Sequence, residues 1–216
     1  MKSISISALI DIVRTNLDEI GANESMMLGG SDDRSLNELI SNVAGVCADI
    51  VHTSAPSQLL DGVEVEVNEE TVQLEDKNSK VLRIFPQDIV RLVAFRAADS
   101  DYTISTVVPE DSPVGRMQKD KYVCGTYDDP VMVAVQGATG INTELKYYSL
   151  KETVTNPVAS VALLKVIYRQ EGITGYVDVS DNVVPQFYNL VTSRVLSILG
   201  ETEKSNEYAA KASFAS

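Results

Sequence analysis

The sequence has no tryptophan, one histidine, two cysteines and only 18 lysine and arginine residues against 31 aspartate and glutamate residues. One histidine, His52, cannot build a multi-histidine metal site, and two cysteines cannot form a disulfide framework. The shortage of basic residues gives a net charge of −13, which argues against nucleic-acid binding because lysine and arginine supply most of that affinity. The composition therefore favours a surface that repels phosphate groups.

Long apolar runs are also missing, and none approaches the roughly 20 residues needed to span a bilayer. The start of the chain carries Asp11, Arg14, Asp18 and Glu19, which is unlike a secretory signal peptide. We therefore expect no membrane association and a protein made in a cytosol-like compartment.

Motifs that carry chemistry are likewise missing. His52 falls at the end of a predicted helix, where a positive charge suits the helix dipole, and we expect it to be structural. The aspartates at residues 32–33, 99–101 and 128–129 lack the ligand spacing of a calcium loop and are typical of turns and caps. Residues 137–140 lack the lysine of a phosphate-binding loop. We expect no catalytic residue, no metal and no cofactor.

Helical periodicity marks the first part of the chain. It predicts one helix over residues 7–20 and a second from about residue 33 to residue 55, before Pro56. The apolar seam of the second helix is Leu36, Ile40, Val43, Cys47 and Ile50. Both helices need a partner, because short helices gain most of their stability by burying an apolar face.

The end of the chain, from residue 183, predicts two more helices joined at Gly200. Asp181 is placed to cap the first of them, and the second runs from residue 201 to about residue 215. The apolar positions expected to form the core of this helix pair are Phe187, Val191, Val195, Ile198 and Tyr208.

The middle of the chain changes to the two-residue period of strands. Predicted strands cover residues 63–67, 71–74, 81–85, 90–97, 102–108, 131–135, 145–150 and 173–179, and a short helix covers residues 112–121. Residues 161–168 fit either a strand or a helix, because periodicity alone does not separate the two for a short apolar run.

These elements predict an α+β fold with two regions. Residues 1–60 and 181–216 form a terminal helical bundle of two N-terminal and two C-terminal helices, and residues 61–180 form an inserted antiparallel β-rich region. If Ile198 and Leu39 lie in the bundle core, truncating either side chain to alanine costs about 2–5 kcal/mol.

Residues 84–95 read Ile-Phe-Pro-Gln-Asp-Ile-Val-Arg-Leu-Val-Ala-Phe, a strand that ends in a Pro-x-Asp turn and leads into a second strand. The residues that carry this pattern are Phe85, Pro86, Asp88, Arg91 and Leu92. The pattern resembles the middle of head-to-tail connector proteins of tailed bacteriophages, which are the ring or tail-adaptor proteins of short-tailed and crAss-like phages. The order of the later elements, through the closing helix pair, is similar to that family over nearly the whole chain.

The resemblance implies a structural virion protein of the neck or tail that is assembled in the host cytoplasm and has no catalytic residues. It implies a ring of identical subunits, with twelve-fold symmetry to match the portal. The partners would be the portal or another ring protein above and tail proteins below. DNA would pass through the lumen without specific binding.

One acidic segment bears on that lumen. Residues 61–76 contain seven carboxylates and no lysine or arginine. Its four central carboxylates belong to Glu64, Glu66, Glu69 and Glu70. They would face solvent, a basic neighbour or the lumen, and in a lumen they would repel DNA phosphates within about 8–10 Å.

Two other functional classes stay open. A β-rich binding or adhesion module predicts a monomer with an exposed pocket or aromatic patch, and it leaves the four terminal helices without a role. An enzyme of an unrecognised kind predicts titratable groups that converge in a cleft.

Overall fold

The computed structural model describes residues 1–21, 30–76, 80–85, 88–120, 122–136, 142–150, 154–170 and 175–214. In chain order the elements are β1 (Lys2–Ser5), α1 (Ile6–Gly21), α2 (Gly30–Ser54), β2 (Val63–Glu64), β3 (Val72–Leu74), β4 (Leu82–Ile84), β5 (Ile89–Ala97), β6 (Val108–Pro109), α3 (Pro113–Met117), β7 (Met132–Gln136), β8 (Asn142–Tyr147), β9 (Val161–Tyr168), β10 (Tyr176–Val179), α4 (Val184–Ile198) and α5 (Thr202–Ala212). The predicted α+β class is therefore confirmed.

The chain divides into two compact units. The first consists of Met1–Asp61 with Arg169–Ser216, and the second is Gly62–Tyr168. The first unit holds the four long helices with β1 and β10, whereas β2 to β9 and α3 form the second. Strand β10 thus lies in the first unit, although the sequence analysis assigned its residues to the inserted region.

Helix α4 is the centre of the first unit, because it contacts α1, α2 and α5. Phe187, Val191 and Val195 recur along one face of α4, and each is fully buried. Tyr208 of α5 is 7% exposed, and the Nζ of Lys211 lies 4.4 Å from the centre of its ring. The apolar stripe of α4 is therefore covered by helices from both ends of the chain.

Ile198 does not belong to this core, because its side chain is 55% exposed. Its position around the α4 axis matches that of Phe187 and Val191, so helical periodicity alone places it on the buried face. It is, however, the last residue of α4, and the chain then turns at Gly200, where φ is +90°, into α5. Helical periodicity predicts the face on which a side chain lies, but not how far along the helix the neighbouring helices pack against that face.

The buried face of α2 is also displaced from the predicted seam. Leu36, Ile40 and Cys47 are buried as expected, but Val43 is only half-buried and Ile50 is 42% exposed. The remaining buried positions of this face are Ala44, Ala48 and Val51. Over a helix as long as α2, the buried stripe moves around the axis, because two turns of 3.6 residues slightly exceed seven residues.

His52, at the end of α2, is fully buried. Its Nε2 accepts a hydrogen bond from the backbone N–H of Ser180 at 3.2 Å. An imidazole nitrogen that accepts a hydrogen bond carries no proton, so the ring is neutral in this arrangement. The contact joins α2 to the segment between β10 and α4.

Two local features of the first unit were missed. Strand β1 was not predicted; it pairs antiparallel with β10 over four residues and buries only Ile4. Asp181 does not cap α4, because the helix begins after Val183 with no side-chain cap. Asp181 instead opens a short 3₁₀ turn, and its backbone N–H donates to a carboxylate oxygen of Asp61.

The second unit contains two sheets. One has the order β2-β9-β5, and the other has the order β3-β4-β8-β7-β6 with only β6 parallel to its neighbour among these described strands. Residues 161–168 are strand β9, which resolves the ambiguity left by periodicity. Phe95 of one sheet and Tyr147 of the other lie with their ring centres 5.0 Å apart. Both sheets therefore share a single apolar core.

Several predicted strands of this unit are shorter than expected. Residues 102–108 provide only an isolated bridge from Ile104 to Phe95 and the start of β6. Strand β2 covers two residues of the predicted 63–67. A strand forms only where its backbone can hydrogen-bond to a neighbouring strand. The alternation of apolar and polar residues does not show whether such a neighbour is present.

Replacing Leu196 by alanine should lower the free energy of unfolding by about 2–5 kcal/mol, because this α4 side chain is 1% exposed. The matched control is Ile198→Ala in the same helix, which should cost less than about 0.5 kcal/mol because that side chain is largely in solvent. Urea unfolding followed by far-ultraviolet circular dichroism measures both values. Equal losses for the two variants would contradict the exposure of Ile198.

Candidate functional site

The residues that carry the connector-like pattern lie where the chain passes from one sheet of the second unit to the other. Phe85 follows β4, and the centre of the Phe85 ring lies 4.9 Å from the guanidinium carbon of Arg83. Asp88 precedes β5 with φ at +52°, in the left-handed region that non-glycine residues rarely adopt. Leu92 is 2% exposed and belongs to the core. Pro86 lies outside the described residues.

Arg91 is the basic member of that pattern, and its side chain is half-buried in β5. Burial lowers its pKa from the usual value for arginine. The pattern thus builds a connection between two sheets, and its described residues do not converge on a cleft.

The four acidic side chains singled out in the sequence are all exposed. They lie between the edge strand β2 of the three-stranded sheet and the edge strand β3 of the five-stranded sheet. Glu64 lies in β2, opposite Lys165 of β9 in the strand register. Val65 and Val67 are half-buried against the core, so Glu66 between them points outward. This segment therefore presents carboxylates while its valines hold it to the protein.

Residues 68–71, which we call the acidic turn, close on themselves through side-chain hydrogen bonds. The Oδ1 of Asn68 accepts from the backbone N–H groups of Glu70 at 2.9 Å and Thr71 at 3.0 Å. The Oγ1 of Thr71 accepts from the N–H of Asn68 at 2.8 Å and donates to its carbonyl at 3.0 Å. The backbone of the turn is thus fixed, with Glu69 and Glu70 projecting from it.

A cleft of about 740 Å³ lies beside the five-stranded sheet, and we call it the lysine cleft. The residues of its lining that matter here are Glu75, Lys80, Lys119, Cys124, Lys146 and Tyr148. They come from the end of β3, the approach to β4, the segment after α3, and β8 with the residue that follows it. No sequence motif joins these positions, so the cleft was not predicted from the sequence.

Ion pairs set the charges on the sheet side of the cleft. The Nζ of Lys146 lies 2.7 Å from Glu75 Oε1 and 4.0 Å from Glu144 Oε1. Burial acts to lower the pKa of Lys146, but the hydrogen bond and negative charge of Glu75 outweigh it, so the pKa is raised. Burial raises the pKa of Tyr148, although the charge of Lys146 opposes this. At neutral pH the cleft therefore presents a charged lysine beside a neutral phenol.

Lys119, which also lines the cleft, forms a second ion pair. The Nζ of Lys119 lies 2.8 Å from Glu110 Oε1, and both side chains are substantially exposed. The hydrogen bond from Lys119 lowers the pKa of Glu110 below its usual value. A pair this exposed contributes about 0–1 kcal/mol, so the ammonium group can exchange partners at little cost.

The wall of the cleft is held in place by a buried amide. The Nε2 of Gln118 donates to the carbonyl of Val114 at 3.0 Å, and its Oε1 accepts from the N–H of Gly125. At Gly125 a Cβ atom would lie 2.7 Å from Ser149 Oγ, so this segment passes very close to the end of β8. The same hydroxyl accepts from the N–H of Val131 at 3.1 Å. The cleft is therefore preformed rather than shaped by a ligand.

Helix α3 is fixed just as tightly against β6. Ser112 Oγ accepts from the N–H of Gly115 at 3.0 Å, which caps the helix. A Cβ atom at Gly115 would lie 2.2 Å from the carbonyl oxygen of Pro109, so glycine is required at this position. These two contacts set the direction in which the following cleft residues leave the helix.

Each unit also exposes large apolar side chains. In the second unit they include Val114, Met117, Tyr122 and Val123, and Tyr122 is 82% exposed. In the first unit Val46 is 56% exposed and lies one turn before the exposed Ile50 on α2. Clustered apolar groups in solvent are typical of surfaces that bind another protein.

The lysines that line the cleft suit the binding of carboxylate groups. Across the described ranges, no group of three or more histidine, cysteine, aspartate or glutamate side chains is placed to hold a metal ion. In the part of the chain that the structure covers, no helix is long and apolar enough to cross a membrane. Comparison with protein-family models and with curated protein sequences finds no match.

The two cysteines should differ sharply in reactivity. Burial raises the pKa of Cys47 to about 12, whereas Cys124 is half-exposed at the lysine cleft. Iodoacetamide at mildly alkaline pH should therefore label Cys124 in the native protein and spare Cys47, because only a thiolate that the reagent can reach reacts. Peptide mass spectrometry reads out the labelled sites.

The control for this experiment is Cys124→Ser, which should leave the native protein unlabelled, whereas both cysteines of the wild-type chain should react in denaturant. Labelling of Cys47 in the native protein at the rate of Cys124 would contradict its burial in the α2 core.

Proposed function

We propose that this chain is a structural virion protein that forms a ring between the portal and the tail and lets DNA pass through its lumen. The observation that carries the proposal is that both compact units expose clustered apolar side chains, Val46 with Ile50 in one and Tyr122 with Val123 in the other. A ring subunit needs two different binding surfaces, because each copy meets its neighbours head to tail.

The resemblance of residues 84–95 to phage head-to-tail connector proteins supports the same function. The segment supplies the connection between two sheets, which is a role in the fold and not in chemistry. The predicted partners follow from the resemblance: other copies in a twelve-fold ring, the portal or another ring protein, and tail proteins. The protein would then reside in the neck or tail of the virion.

The helical first unit would form the body of the ring as a terminal bundle, and the β-rich second unit would reach neighbouring proteins. The packing of α4 against α1, α2 and α5 supports this division, because it joins helices from both chain ends in one unit. The β-rich unit carries the lysine cleft and the acidic turn, which are the charged surfaces most suited to protein contacts.

Passage of DNA without binding agrees with the charge of the chain. The net charge of −13 and the exposed Glu64 and Glu66 would repel phosphate groups wherever they face the lumen. No specific recognition of bases is needed for this role.

A β-rich binding module is the second candidate, and the lysine cleft is the observation that favours it. A preformed cleft of about 740 Å³ falls in the range of small-ligand sites, and its lysines would select an anionic group. This candidate predicts a monomer that binds a carboxylate or phosphate compound.

Native mass spectrometry and negative-stain electron microscopy of the purified chain, alone and with a portal protein, test the proposal. We expect closed rings of a single stoichiometry, with twelve subunits when the portal is present. A protein that stays monomeric under both conditions and binds a small anion in its cleft would contradict the ring and support the binding module.

A further inference from the structure

A ring made from this chain must bring together copies that each carry a net charge of −13. Like charges repel at long range, so the contact between neighbours needs a local region of opposite charge on one side. The lysine cleft is such a region, since its described lining has three lysines, at positions 80, 119 and 146, and one glutamate, Glu75.

The lysines of the cleft keep the capacity to bind a further carboxylate. An ammonium group has three N–H donors, and the ion pairs of Lys119 and Lys146 are with Glu110 at 2.8 Å and Glu75 at 2.7 Å. These two glutamates are about one-third exposed, at 36% and 34%, so the pairs lie at the surface of the cleft where a second carboxylate can reach them.

The acidic turn has the complementary properties. Glu69 and Glu70 are exposed, and neither carboxylate forms an ion pair with any residue that the structure describes. Four hydrogen bonds between Asn68, Thr71 and the turn backbone already fix its shape. A turn that is ordered before binding loses little conformational entropy when it docks.

We infer that the acidic turn of one copy docks in the lysine cleft of the next copy, with Glu69 and Glu70 paired to the cleft lysines. The inference rests on the proposed ring and names the surfaces that meet in it. The two surfaces differ, so the contact is head to tail and can repeat around a closed ring. The acidic segment could face solvent, a basic neighbour or the lumen, and in this contact the acidic turn faces a basic neighbour.

Two charge-reversed variants test this contact. The turn variant carries Glu69→Lys and Glu70→Lys, and the cleft variant carries Lys80→Glu and Lys119→Glu. Lys146 is left unchanged because its side chain is only 19% exposed and pairs with Glu75. Circular dichroism of each variant checks that it folds, and sedimentation velocity with native mass spectrometry measures self-association.

Each variant alone should weaken self-association at least about tenfold, because like charges then meet at the contact. An equimolar mixture should restore association when the two variants alternate around the ring. The reversed turn then meets the reversed cleft at one contact, and the native turn meets the native cleft at the next. The control carries Glu203→Lys and Glu207→Lys on α5, which changes the net charge by the same amount as the turn variant and should not weaken association. Unweakened association of the turn variant, or no rescue on mixing, overturns the docking contact.

A disulfide cross-link places the turn in the cleft directly, because Cys124 lines the cleft. Glu70→Cys, oxidised with diamide, should give a ladder of linked chains on a non-reducing gel, and adding Cys124→Ser should remove it. Glu203→Cys is the control and should not link to Cys124, since a disulfide needs Cα atoms within about 7 Å. A ladder that persists without Cys124, or no ladder from Glu70→Cys, contradicts the contact.

The outcomes separate this contact from the ring itself. Wild-type rings that tolerate both charge reversals overturn the contact and leave the ring standing. Dimers that follow the charge-swap pattern but never close into rings support the contact and overturn the ring. A wild-type chain that is monomeric at every concentration overturns both.

Discussion

The ion pair between Arg83 and Glu144 is the constraint on which the second unit depends. Glu144 is 8% exposed, and a carboxylate buried to that extent is costly unless it is paired. Arg83 meets it with two hydrogen bonds, at 2.6 and 3.1 Å, across neighbouring strands β4 and β8. A register slip of one residue would turn these charges toward the core and Tyr147 outward, so the pair and the apolar core fix the same register.

The lysine cleft follows from that register. Once Arg83 and Glu144 are fixed, Lys146 projects from the same face of β8 and reaches Glu75, while Leu145 on the other face enters the core. Arg83 and Lys146 therefore lie on the charged face of a sheet whose other face is apolar. Directly before β3, the acidic turn presents the carboxylates of Glu69 and Glu70, which have no basic partner among the described residues. Positive and negative charge are thus separated on the surface of this unit.

The sequence pattern predicted the structure correctly where neighbouring elements pack against a helix or strand along its whole length. The helices at both chain ends and the α+β class follow from periodicity, and Phe187, Val191 and Val195 are buried on the face that periodicity gives. The sequence pattern failed where the packing against an element stops short of its end, and where a strand forms only by pairing with a strand that is distant in the sequence. Ile198 lies on the predicted face of α4 but at the end of the helix, where its side chain is exposed. Strand β1 has too few apolar residues to be recognised in the sequence without its partner β10.

By itself the sequence determined the composition of the surface, the two helical ends, the strand-rich middle and the acidic segment at residues 61–76, because each of these is a local property of neighbouring residues. Only the tertiary structure decided that positions 75, 80, 119, 124 and 146 share one cleft, that His52 is buried as a hydrogen-bond acceptor, and that residues 161–168 are a strand. These are outcomes of long-range pairing and burial, in which the free energy depends on residues far apart in the chain.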